Sequence, residues 1–182
     1  MFIELEEVRQ PTLNAFLDYW AGLRGNAFAP SWRSFDLMAL PMEAIPRVIV
    51  ADVLYDQDDR TPIDCIVRFW GTSHTIRKGA DKTGKSVNSY PEFRGQRGYD
   101  EYLKVIAEKA PVASKDLVYL HSTTKKLTFG QTQVRVPLSN DGLRVDHVAS
   151  LVDWEAFEFG DNSVARFDEK IFTIPVGQLA RP

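Results

Sequence analysis

Apolar positions along this chain change period several times, and each change marks an element. From Thr12 to Arg24 they fall at helical spacing, with Leu13, Phe16, Leu17, Trp20 and Leu23 in one stripe. Thr12 is the predicted cap after Pro11, and Gly25 the stop. A stripe so rich in aromatics must lie on something, either the chain's own sheet or the same helix of a second subunit. Ala29 to Pro46, punctuated by Pro30, Pro41 and Pro46, reads as a connector with one helical turn after Asp36. Arg47 to Asp56 (RVIVADVLYD) is apolar on both faces, as expected of a central strand covered on each side. Asp56, Asp58 and Asp59, followed by Pro62, mark a turn. Beyond it, Ile63, Cys65, Val67 and Phe69 alternate with Asp64, Ile66, Arg68 and Trp70. Period two assigns these sets to opposite faces of a strand, and the short acidic turn makes the pair an antiparallel hairpin.

The second strand opens the stretch that organises the rest, Ile63 to Val87. It breaks at Gly71-Thr72, turns through a short polar helix and stops at Thr83-Gly84. A strand leading into small helical turns predicts a cup built against a sheet. After a loop from Tyr90-Pro91 to Gly95 and Gly98, apolar Tyr99, Tyr102, Leu103, Ile106 and Ala110 mark one side of a helix. Glu101, Lys104, Glu108 and Lys109 mark its other side, and Pro111 stops it. Val112 to His121 reads as a strand. Thr128 to Leu138 sets Thr132, Val134, Val136 and Leu138 against Gln133 and Arg135, and Asn140-Asp141-Gly142 turns the chain onto Val145 to Asp153. From Trp154 to Pro182 the chain carries Phe157, Phe159, Phe167, Ile171, Phe172 and Ile174, too apolar for a solvated tail. An antiparallel sheet with its helices inserted mid-chain is an α+β layout.

Length and charge narrow the classes. The 182 residues suit one domain with a sizeable core. A net charge of -3 leaves no basic footprint for nucleic acid or an anionic membrane. The longest apolar runs are strand-sized, against the ~20 residues a bilayer span needs. The start, MFIELEEVRQP, has three early acids and no apolar core, so no signal peptide is expected. A single cysteine, Cys65, cannot form an internal disulfide and suits a cytoplasmic setting.

Gly79 to Ser86 (GADKTGKS) matches the phosphate-binding loop pattern letter for letter. That loop works only between a buried strand and a long helix, where backbone N–H groups and the helix dipole converge on the phosphates. Here Ile76-Arg77-Lys78 precede it and Pro91 leaves no room for the helix, so the match reads as loop composition. His74, His121 and His147 show no metal spacing with Cys65, and no metal ligands are assigned. His74 falls in the cup, as a ligand contact or a surface side chain. There is no G-x-S-x-G, and Cys65 has the apolar neighbours of an inert thiol. No acid, base and nucleophile assemble, and no catalytic residue is assigned.

An apolar cavity remains as the candidate site. Cys65, Val67 and Phe69 from one strand, Tyr102 and Ile106 from the long helix, and Val134 and Val136 from another strand would line it, with Trp70 and Tyr90 as further candidates, Trp70 belonging either here or to the opposite face of its strand. His74, Thr72 or Tyr90 would supply its polar groups. The alternative is that these side chains simply fill the core.

Several short motifs, in order, resemble the bacterial PAS-like sensory proteins in which one PAS fold makes up most of a small stand-alone chain. Tyr19-Trp20, Leu23-Arg24-Gly25, Pro30, Arg33 and Asp36 look like the family's opening pattern. FWGT (Phe69 to Thr72), GADKTG (Gly79 to Gly84) and VPLSNDG (Val136 to Gly142) follow at similar places. Leu37 stands where the family usually has a proline, and the residues after Trp154 lie beyond the shared region. The resemblance implies a five-stranded antiparallel sheet with short helices and one longer helix between its second and third strands, over a central pocket. It implies a sensor or interaction module and carries over no catalytic residue and no cofactor.

The expected organisation is an N-terminal segment and helix over 1–28, a PAS-like domain over 29–154 and an extension over 155–182. The expected function is a cytoplasmic sensory module binding a small molecule or a protein signalling partner, homodimeric through Leu13, Phe16, Leu17 and Trp20. The rivals are a structural interaction domain with a filled core, a small enzyme using the cup, and a nucleotide binder.

Overall fold

The computed structural model describes all residues except 59–60, 79, 90–92, 122–125 and 158–182, and of residues 77–78, 89, 93–97, 117–121, 126–129 and 155–157 the backbone alone. The chain is α+β, its described strands forming one six-stranded antiparallel sheet. In chain order the elements are β1 (Phe2–Ile3), α1 (Pro11–Arg24), β2 (Val48–Tyr55), β3 (Pro62–Trp70), α2 (Thr72–Lys78), α3 (Phe93–Glu108), β4 (Val112–His121), β5 (Lys126–Leu138) and β6 (His147–Phe157). Across the sheet they run β1-β4-β5-β6-β2-β3. The two helices inserted between β3 and β4 therefore separate an early hairpin from a late three-strand meander, and β2 and β6 join the two halves. The strand count departs from the five that the resemblance implies: the sheet has six, because β1 pairs Phe2 with Ser114 and Ile3 with Ala113 at its edge.

Helix α1 starts one residue before its predicted cap. Pro11 takes the first helical turn, where its missing N–H costs nothing, so Thr12 lies inside the helix and caps nothing. Gly25 ends it at φ 54°, a conformation that a side chain disfavours. Leu13, Phe16 and Trp20 are buried against the chain's own sheet, in one cluster with Val48, Val50, Val134, Val136, Leu138 and Leu151. The Trp20 indole N–H donates to the Pro137 carbonyl at 2.7 Å. These three side chains, with Leu17 half-buried beside them, serve cis packing, which removes them as a dimer surface. Each contributes about 1.5–3 kcal/mol by burial. Asp36 accepts the Met38 N–H at 2.9 Å and starts the expected turn in the connector.

The opposite face carries α3. Its Tyr102, Val105 and Ile106 pack with Ile49, Ala51, Val53, Cys65, Val67 and Val148. The helix begins at Phe93, so Gly95 and Gly98, expected to end a loop, lie inside it. Two helical glycines cost about 1 kcal/mol each, which the packing of the following turns offsets. No helix among the described residues is long and apolar enough to cross a membrane.

Candidate functional site

The predicted cavity rested on strict alternation along β3, and β3 does not alternate. Val50 pairs with Phe69 and Ala51 with Val67, which leaves Arg68 as an extra residue. This bulge moves every later side chain to the other face. Cys65 and Val67 point to the α3 layer, whereas Phe69 packs in the α1 layer and Trp70 returns to the α3 side. Val134 and Val136 also belong to the α1 layer. The expected lining thus divides. Cys65, Val67, Trp70, Tyr102 and Ile106 come together beneath α3, while Phe69, Val134 and Val136 lie on the far side of the sheet. Tyr90 lies outside the described residues, as does Gly79. Burial pushes the Cys65 thiol up to about 12, which fits its assignment as inert.

At the end of β3 the chain passes through Gly71 against the backbone of Pro46 and Val48, and the Gly71 N–H donates to the Val48 carbonyl at 2.9 Å. This close approach turns α2 inward. Thr72 stays exposed, but His74 is fully buried, which corrects the surface reading. Its ring lies 4.9 Å from Trp70 and 4.9 Å from Trp154, and its Nε2 is 2.9 Å from the Arg47 carbonyl oxygen. A ring held in this way packs and positions.

The remainder of the cup is stitched to the free edge of β3. Gly84 donates its N–H to the Val67 carbonyl at 2.8 Å, Val67 donates to the Lys85 carbonyl at 3.0 Å, and Ile66 bridges Ser86. The Thr83 N–H is held by Asp81 at 2.8 Å and the Lys85 N–H by the Lys82 carbonyl at 2.9 Å. Three consecutive N–H groups that a phosphate would need are therefore already used. The glycine, aspartate and threonine serve the turn.

Polar chemistry converges instead beneath α3, on residues the periodicity assigned elsewhere. Glu101, expected on the outer side of the helix, is buried, and so are Gln133 and Arg135 of β5. Glu101 Oε2 accepts from Arg135 Nε at 3.0 Å, Arg135 Nη2 at 2.7 Å and Gln133 Nε2 at 2.7 Å. Gln133 Nε2 also donates to Ser114 Oγ at 2.9 Å, and Arg135 Nη1 to Ser150 Oγ at 2.7 Å. The guanidinium lies over the Tyr102 ring, 4.4 Å from its centroid. Burial works against the charge on Arg135, but the Tyr102 phenol and the Glu101 carboxylate outweigh it and hold its pKa above the ordinary value. The Tyr102 phenol is raised, chiefly by burial. One signal could have found this cluster. Glu101 stands four residues before Val105, on the stripe that faces the sheet, and a central strand covered on both faces cannot leave Arg135 unpaired.

A second cluster closes the α1 side where β2 meets β6. Asp52 Oδ1 receives Arg68 Nε at 2.5 Å and faces His147 Nδ1 at 2.8 Å. His147 Nε2 faces Asn140 Nδ2 at 3.4 Å, and Asn140 Oδ1 accepts the Trp32 N–H at 3.3 Å. The extra residue of the bulge, Arg68, thus ties the hairpin to the carboxylate. Among the described residues no group of three or more His, Cys, Asp and Glu side chains is placed to hold a metal ion.

No family model and no curated protein matches this chain.

Proposed function

We propose that this chain is a sensory module of the PAS type, binding a small molecule or a protein partner in the layer beneath α3, with no catalytic activity of its own. One observation carries the reading. A hydrogen-bonded polar group, Glu101 with Arg135 and Gln133, sits inside an otherwise apolar helix-to-sheet interface. A few convergent polar groups in an apolar setting are what fix the orientation of a small ligand. The insertion of α2 and α3 between the hairpin and the meander supports the same reading, since the resemblance implies that arrangement. Ligand binding would act by favouring one placement of α3, which requires different affinities for two states.

The test is native mass spectrometry of freshly purified protein against its denatured mass, together with a thermal-shift screen of metabolites. A retained mass or a hit that Arg135→Met abolishes supports the module. An empty protein with no hits leaves a structural interaction domain, the reading favoured by one fact: Arg135 already has a carboxylate partner within the chain, Glu101. A homodimer through α1 would have to use its exposed positions Ala15, Asp18, Ala21 and Gly22, and sedimentation equilibrium with Ala21→Glu checks it.

A further inference from the structure

We propose that strands β4 to β6 form a carboxylate receptor and that Glu101 of α3 is its built-in occupant, displaced when a small carboxylate-bearing molecule binds. This rests on the sensory reading and names the ligand class for the same site.

The receptor belongs to the sheet. Ser114, Gln133, Arg135 and Ser150 come from three adjacent strands, and their register fixes them: Ser114 is paired with Gln133, and Arg135 with Ser150. Their mutual bonds, Gln133 to Ser114 and Arg135 to Ser150 and Gln133, orient the donors independently of α3. What those donors present is a guanidinium edge beside an amide N–H, the recognition set for a carboxylate.

Glu101 fills that set incompletely. All three donors that reach it go to the single oxygen Oε2, with Arg135 Nε and Nη2 sharing it. Guanidinium and carboxylate bind best as parallel forks, one oxygen to each nitrogen. A free carboxylate is not tied to a helix backbone and can adopt the fork. The Tyr102 ring, already against the guanidinium, offers the remainder of such a ligand an apolar or aromatic contact. Exchange of one carboxylate for another conserves charge in the buried site, so the desolvation cost of leaving Arg135 unpaired is never met. The freed Glu101 side chain turns toward water and gives up its hold of α3 on β5 while Tyr102 stays on the guanidinium, which makes the exchange a signal.

The experiment titrates the full chain with acetate, propionate and benzoate, and with acetamide, propionamide and benzamide as neutral matches, reading melting temperature and heat of binding. The acids are expected to stabilise the wild type and the amides to do nothing. Glu101→Ala removes the competitor and should tighten the acids by roughly tenfold or more. Should that variant fail to fold, Glu101→Gln serves, with the same expected direction. An acid that acts only on the variant, or on neither protein, overturns the inference, because Glu101 is then a permanent strut. An uncharged ligand retained in native spectra would overturn it while leaving the sensory reading intact, and absence of any ligand would end both.

Discussion

A methyl group placed on Gly71 would stand 2.3 Å from the carbonyl oxygen of Pro46 and 2.8 Å from that of Val48. Both atoms are backbone, so nothing can rotate away. Gly71→Ala should therefore lower stability by about 3 kcal/mol or more in urea denaturation, through displacement of the start of β2. A loss below about 1 kcal/mol would mean the turn after β3 is looser than its contacts imply.

The buried pair predicts a cycle. Arg135→Met leaves Glu101 charged and unpaired, and Glu101→Met does the reverse, each at a cost of about 3–5 kcal/mol. The double methionine variant should recover most of that loss, since no charge is then stranded. Additive single costs in the double variant would contradict the pairing.

Cys65 predicts a pH dependence with a definite sign. In the unfolded chain the thiol loses its proton near its ordinary 9.0, whereas the folded thiol keeps it to about 12. Between those values the folded state binds more protons, so stability is fully present below the lower value and falls as pH rises toward the upper. Cys65→Ala should flatten that fall in alkaline denaturation curves. Iodoacetamide at pH 8 should leave the native thiol unmodified and label it in urea.

His147 has a predictable tautomer. The Trp32 backbone N–H can only donate, which fixes the oxygen of the Asn140 amide toward it and its nitrogen toward His147 Nε2. Nε2 must then accept, leaving Nδ1–H to face Asp52 at 2.8 Å. Imidazole nitrogen NMR at neutral pH should find the proton on Nδ1. A proton on Nε2 instead would show the amide to be reversed.

Local patterns in the sequence carried much of this fold. The stripe Leu13, Phe16, Trp20, the both-face apolarity of Val48 to Val53 and the turn at Asn140-Asp141-Gly142 each report a local requirement, and each element stands where expected. The helix stripe was readable, but what it lay on was not, because periodicity names a face and never its partner. The site was hidden for two reasons. A bulge is one residue without a partner, and nothing in the letters around Arg68 marks it, yet it exchanges Phe69 and Trp70 between layers. Glu101 and Arg135 each fall on the polar side of their own element when taken alone, and only the packing of α3 on β5 makes them a pair. The phosphate-loop match shows the converse, with the residue types present but their N–H groups committed to β3.

The junction of β2 with β6 has a bearing on how the chain reaches this state. Asp52 and His147, which face each other across it, are 95 positions apart in the sequence. The early hairpin can close on its own within microseconds, but it gains its inner neighbour only after the long detour through both helices and the meander. Search for that distant edge should govern the rate, and until it succeeds the apolar hairpin stands open to wrong partners.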